Sequence, residues 1–323
     1  MMKKVLFYEA GLPAEVLRVE QVEIPSPGEG EVLIRVTARN INPADIMFIR
    51  GMYGLQPHFP SPAGFEAVGV IEDTNGNSGF LKGDRVIFSA IGTWAEYICL
   101  PADQLIPAPQ GMSDDVACQA FINPMTAYGM LDRAQLREGD WLLLTAGASA
   151  FSKLVIQMAK GRGIRVVCTV RSEEQVPQLL ALGAEAVVNT ERESLPLRVK
   201  EVSGKSGVAV VFDAVGGTLG AEALTCLRPK GKMIVYGLLS LKSIPLNSGL
   251  LIFRDLKVEG FWLTSYLAEL DAAARMKAFR EVLTSLGKAE VRVDVAERYP
   301  MERVIDAISA FEKPGRSGKI LLV

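Results

Sequence analysis

The chain has 323 residues, 49% of them hydrophobic and 22% charged, which gives material for a large core and length for two domains. Its 35 basic and 37 acidic residues leave a formal charge of -2, so it carries no basic footprint for nucleic acid or an anionic membrane. No charge-free apolar run reaches the roughly 18 residues of a membrane span.

The N-terminus, MMKKVLFYEAGLPAEV, turns polar too early for a signal peptide. Cys99, Cys118, Cys168 and Cys226 are scattered and form no CxxC pair, so they read as thiols in a reducing, cytoplasmic setting. Residues 1 to about 120 predict an irregular β domain. Its strands are KKVLFY, EVLIRVTARN, AVGVIED, DRVIFSA and AEYICLPADQLIPAP. Proline and glycine punctuate them in PSPGEGEV, FPSPAGFE and NGNSGFLKGD.

Near residue 121 the texture changes. WLLLTA, IRVVCTVR, AVVNT, VAVVFDAV and KMIVYG are short apolar strands that alternate with helical stretches such as FSKLVIQMAKGRG and LPLRVKEVSG. Strands apolar along their whole length need cover on both faces, which the helices of an open, doubly wound parallel sheet provide. The tail then gives a helix (LDAAARMKAFREVLTSLG), an edge strand (VRVDVAERYP), a helix stopped at Pro314 and Gly315, and a last strand (GKILLV). Strands at both chain ends predict that the termini share one domain, with the parallel sheet inserted into it.

WLLLTAGASAFSKLVIQMAKGRG is a strand, a tight turn and a helix, the context that holds a dinucleotide pyrophosphate at a helix N-terminus. Gly147, Ala148, Ser149, Ala150 and Ser152 are small enough for close approach, and the two serines can donate hydroxyls. The GxGxxG fingerprint is absent, so a turn built only for packing is the alternative. The next strand ends in Arg171 and Ser172, where an NAD site places a carboxylate. Arginine suits a 2'-phosphate, which favours NADP(H); a solvated surface arginine is the alternative. Glu173 and Glu174 read as the opening of the following helix. FDAVGG and VYGLLS end two further strands, making Gly216, Gly217, Tyr236 and Gly237 cofactor candidates or simply tight turns.

Together, ARNINPADIMFIRGMY, GFEAVGVIE, GDRVIFSAIGTWAEY, NPMTAYGML, the strand-turn-helix at 141–160, LGAEAVVNT, FDAVGG and GKMIVYG resemble the medium-chain dehydrogenase/reductase superfamily over essentially the whole chain. The resemblance implies an α/β protein: a GroES-like β domain (1–121 and 265–323) with an inserted Rossmann-type doubly wound parallel sheet domain (122–264). The pattern is most similar to the zinc-independent branch of quinone oxidoreductases and mitochondrial-type 2-enoyl thioester reductases. NINPADIMFIRGMY followed by VEGFWLTSYL resembles the enoyl reductases, whose tyrosine near the substrate matches Tyr53. Phe151-Ser152 departs from their V-G, and Tyr266 stands where they often have tryptophan.

Zinc-dependent relatives use the histidine of a GHE triplet, which here reads Gly64-Phe65-Glu66, and the segment of their first cysteine ligand, ARNINPAD, has none. His58 is the sole histidine, so no metal is expected and Glu66 is expected to pair with a nearby base. Without a Lewis acid, conjugate reduction is the chemistry implied: hydride to the β carbon of an enoyl thioester, enone or quinone, and a proton to the enolate.

Tyr53 is the candidate proton donor or enolate-stabilising hydroxyl, since an unperturbed phenol, with a pKa of about 10, stays protonated at neutral pH; packing is the alternative. Asn42 would orient nicotinamide or substrate, or serve a turn, and Asp45 reads as a turn or cap residue. Thr126 resembles a residue that approaches the nicotinamide, beside Tyr128 and after Asn123, an N-cap candidate ahead of Pro124. Phe65, Phe88, Phe261, Trp262 and Tyr266 are candidates to line an apolar channel between the domains. The rivals to enoyl reduction are quinone or small-enone reduction, and nucleotide binding without catalysis, which the glycine-poor turn motivates. A homodimer is expected, with GLLIFRDLKVEGFWL lending a strand to a shared sheet.

Overall fold

Val32, Ile34 and Val36 recur at every second position of the strand Glu31–Asn40, and a period of two puts them on one face. That face packs with Ile71, Val86, Phe88 and Leu100 into one core. The computed structural model describes every residue except Asn77, Ser78 and Pro314, so part of the NGNSG turn and the expected helix stop at Pro314 lie outside the described residues. This core belongs to a unit made of Met1–Ile122 and Val293–Val323. The order in its main sheet is Val295–Tyr299, Lys319–Leu322, Glu31–Asn40, Glu66–Asp73, Arg85–Ser89, Ile106–Pro107, with Tyr97–Pro101 also paired to Glu31–Asn40. Leu321 pairs with Asn40, so the last strand returns to the unit of the first, and Val295–Tyr299 is an edge strand. A second core of the unit gathers Phe7, Phe48, Phe65, Trp94, Ile308 and Ile320.

Trp141–Leu144 and Val208–Asp213 are buried at every position, as strands covered on both faces must be. They are the centre of a parallel sheet in the unit Asn123–Arg292. Its order is Ala186–Asn189, Arg165–Val170, Trp141–Leu144, Val208–Asp213, Leu227–Val235, Lys257–Gly260. All five pairings are parallel. The chain order reverses between the two central strands, the point where open α/β sheets bind ligands.

One expectation changes. Residues 265–292 group with the second unit, moving the boundary from 264/265 to 292/293. Tyr266 lies so near Gly129 that a Cβ there would fall 2.7 Å from its ring. Gln157 exchanges hydrogen bonds of 2.9 and 3.1 Å with the backbone of Arg292. In GLLIFRDLKVEGFWL the expected strand is Lys257–Gly260, and the residues ahead of it form the helix Ser248–Arg254. Asn247 caps it by accepting from the Gly249 and Leu250 N–H groups, and Asp255, at φ +50, ends it. Among the described residues no helix is long and apolar enough to cross a membrane.

Candidate active site

The strand Trp141–Leu144 ends at the carboxyl edge of the parallel sheet, and the helix Ala150–Lys160 starts a few residues later. At Gly147 only glycine fits: a Cβ would lie 2.8 Å from Cβ and Sγ of Cys168, and the Gly147 N–H donates to the Thr169 carbonyl at 2.7 Å. Ser149 caps the helix, its Oγ accepting from the Ser152 N–H at 3.1 Å. The remaining first-turn N–H groups, beside half-buried Ala148 and Ala150, keep no intrahelical partner and sit at the positive end of the helix dipole. A helix start of this kind can accept a phosphate.

Ser152 is corrected. It is fully buried, its Oγ bonds Ser149 Oγ at 3.1 Å and the Thr145 carbonyl at 3.4 Å, and it also meets the Tyr236 hydroxyl. It braces the turn from inside. The Phe151 ring lies 4.4 Å from that of Tyr236, so the two residues that depart from the V-G pattern pack on one tyrosine. Burial raises the Tyr236 pKa well above that of a free phenol, so its hydroxyl stays protonated and tied to Ser152.

Sequence reasoning missed Thr145 and Asp213, both fully buried at the ends of the central strands. Thr145 donates to Asp213 Oδ1 at 2.7 Å and accepts from the Ala214 N–H at 2.9 Å. Asp213 also takes the N–H groups of Val215 and Gly216, at 3.2 and 3.0 Å. The signal was there, a carboxylate closing an otherwise apolar strand, VAVVFD. Gly216 and Gly217 have φ of +75 and +57, and the Gly217 N–H donates to the Lys242 carbonyl at 3.1 Å. A Cβ on Gly237 would lie 2.9 Å from the Ala214 carbonyl oxygen. These glycines let two loops stack at the sheet edge.

Arg171 is exposed just beyond the strand Arg165–Val170. The acid beside it is turned away, since Glu173 accepts from Asn189 Nδ2 at 2.9 Å. Thr126 is half-buried inside the helix Ile122–Ala134. Asn123 lies within that helix and is not its cap, because the helix starts one residue earlier. An Arg162 guanidinium sits 5.7 Å from the Tyr128 ring.

In the first unit, Asn42 is buried at the start of the helix Pro43–Ile49. Its N–H donates to Asp45 Oδ2 at 2.7 Å, which makes Asp45 a cap residue as read. Its Nδ2 donates to Asn40 Oδ1 at 2.7 Å and Glu66 Oε1 at 2.8 Å, and its Oδ1 accepts from Lys319 Nζ. The whole amide is engaged within the protein, so the expectation that Asn42 orients substrate or nicotinamide gives way to a structural role. Glu66 Oε2 accepts the Ile122 N–H at 2.7 Å. The base near Glu66 is Lys319, which bonds Asn42 directly and acts on Glu66 by charge.

Burial governs the ionisation of this cluster. It raises Glu66, lifts Asp45 from 3.8 to about 8, and lowers Lys319 to about 8 against the pull of Glu66 and Asp45. Between its ordinary and folded values Asp45 holds a proton in the folded chain that the unfolded chain has released. The stability it contributes therefore falls as pH rises through that window. Asp45→Asn is expected to flatten the decline of Tm between about pH 5 and pH 8. Parallel Tm curves for the two proteins would contradict this assignment.

Tyr53 is half-buried, its ring 5.4 Å from Phe65, which lies 5.1 Å from Phe48. Phe88 is corrected: it is fully buried in the core behind the main sheet and lines nothing. Phe261 and Tyr266 are buried against each other at 5.5 Å, with Arg133 5.5 Å over the Phe261 ring, so they too are packing residues of their unit. Trp262 is half-buried ahead of the helix Leu263–Glu269. Gly64 is needed for packing, because a Cβ there would meet Trp94 at 2.2 Å. Among the described residues no three His, Cys, Asp or Glu side chains converge as a metal-ligand set.

Two family models match: the alcohol dehydrogenase GroES-like domain over residues 28–110 and the zinc-binding dehydrogenase over 152–281. The fold and these matches define an oxidoreductase, and the chain belongs to the medium-chain dehydrogenase/reductase superfamily. Its relatives fall in the zinc-independent branch. The mitochondrial enoyl-[acyl-carrier-protein] reductase of Xenopus tropicalis is 30% identical, covering 98% of this chain and 94% of that one. The Arabidopsis thaliana enzyme of the same name is 33% identical, over 88% and 77%. Among solved structures, a putative NADPH:quinone reductase from Bacillus thuringiensis superposes with a TM-score of 0.94 at 29% identity, over 100% of this chain and 98% of that one. Escherichia coli quinone oxidoreductase complexed with NADPH gives 0.92 at 28%, over 99% of both.

Proposed function

We propose that the chain reduces the carbon-carbon double bond of a trans-2-enoyl thioester with NADPH. The observation that carries this reading is Tyr53, a phenol in the segment that resembles enoyl reductases, held on Phe65. NADPH supplies the hydride that reaches the β carbon. The Gly147 turn and the Ser149-capped helix hold its pyrophosphate, and Arg171 pairs with the 2'-phosphate. Thr126 faces its nicotinamide end in this proposal. As electrons move toward the thioester carbonyl, the Tyr53 hydroxyl donates a hydrogen bond to the oxygen, and the α carbon gains a proton that comes from solvent. Phe65, which carries the Tyr53 ring, remains a candidate to line the acyl path.

Quinone or small-enone reduction is the second reading, favoured by the likeness to solved quinone oxidoreductases. A homodimer is part of the proposal: Lys257–Gly260 is an edge strand, and Ile252 and Phe253 before it are 70% and 87% exposed. Four free cysteines, three of them buried, suit a reducing compartment such as the cytoplasm. The near-neutral charge gives no support to a nucleic-acid partner.

The test follows NADPH oxidation, with NADH in parallel, against crotonyl-CoA, a longer 2-enoyl-CoA and a simple quinone. Turnover of the thioesters with preference for NADPH is expected. Turnover of the quinone alone would replace this reading with the second.

A further inference from the structure

We infer that Lys319 is a positioning residue for Tyr53, acting through Asn42 and Glu66 on the two segments that seat the tyrosine ring. The inference rests on the reading of Tyr53 as the hydroxyl that serves the enolate. Lys319 is 3% exposed on the strand Lys319–Leu322, and its Nζ donates to Asn42 Oδ1. Asn42 opens the helix Pro43–Ile49, and its Nδ2 reaches Glu66 at 2.8 Å, the first residue of the strand Glu66–Asp73. One ammonium thus pins the start of a helix to the start of a strand.

Tyr53 rests on both. The chain leaves the helix at Arg50, reverses through Gly51 at φ +68, and is tied back by the Met52 N–H on the Met47 carbonyl at 2.8 Å. Tyr53 follows, its ring on Phe65, the residue before Glu66. Phe65 in turn lies 5.1 Å from Phe48 of the same helix. A shift of the helix start against Glu66 therefore moves the seat of the Tyr53 ring. Stability alone does not call for a buried cation here, since apolar residues of similar volume are commonly as good. What the cation adds is directional: it fixes which way the Asn42 amide faces, and with it the register of Pro43–Ile49 on Glu66.

A double-mutant cycle tests this. Lys319→Met, Tyr53→Phe, the double variant and Lys319→Arg are compared for kcat on crotonyl-CoA and for NADPH Kd by fluorescence. Lys319→Met is expected to lower kcat about 10- to 100-fold with Kd changed less than about twofold, and Lys319→Arg to recover most of the loss. In the Tyr53→Phe background Lys319→Met should cost less than about twofold. If Lys319→Met fails to fold, Glu66→Gln enters the same cycle, with the same expected non-additivity.

Equal losses from Lys319→Met in the two backgrounds, or an unchanged kcat in folded Lys319→Met, would overturn the inference alone. A Tyr53→Phe variant with the kcat of the parent would instead overturn the reading of Tyr53, and the inference with it.

Discussion

Tyr53→Phe should lower kcat on a 2-enoyl thioester by about 10²- to 10³-fold, with NADPH affinity changed by less than about twofold. The substitution removes one oxygen and keeps the ring, so the contact with Phe65 at 5.4 Å survives and the loss reports the hydroxyl. A donor aimed where charge develops acts on the transition state more than on the ground state, so the loss belongs in kcat. Steady-state kinetics with NADPH titrated by fluorescence checks both halves. A variant with unchanged kcat would make Tyr53 a packing residue.

Arg171→Ala should raise the KM for NADPH by about 10- to 100-fold and leave NADH almost untouched, as expected for loss of a charge-assisted contact of about 1.5–3 kcal/mol. The reason is local. Arg171 stands exposed at the end of its strand, while the nearby carboxylate of Glu173 is turned to Asn189. The discriminating quantity is the ratio of kcat/KM for the two cofactors. An equal loss with both would show that Arg171 supports the fold of the loop and not the 2'-phosphate.

The parallel sheet was legible because WLLLTA and VAVVFDAV are apolar along their whole length, and such strands have one stable environment. Gly147 was legible from its place between strand and helix, and its contact with Cys168 explains why that position alone kept a glycine. Ser152 was misread as facing the ligand, because spacing along a turn does not say that the third helical residue points back at Thr145 and Tyr236. Asn42 was misread for a different reason. Its neighbour in sequence is the Tyr53 segment, but its oxygen is taken by Lys319, 277 residues away. Phe65 and Phe88 look alike in sequence, yet one touches Tyr53 and the other is sealed behind the main sheet. Which face of a strand meets which core is settled by long-range pairing that no local pattern carries.

The central claim is conjugate reduction of an enoyl thioester, and the isotope route tests it most directly. NADPH dideuterated at C4 is turned over with crotonyl-CoA, and ordinary NADPH is turned over in D₂O. Mass spectrometry and NMR then locate deuterium in the butyryl product. The account predicts one deuterium at the β carbon in the first experiment and one at the α carbon in the second. NADPH consumption without label at the β carbon would contradict it.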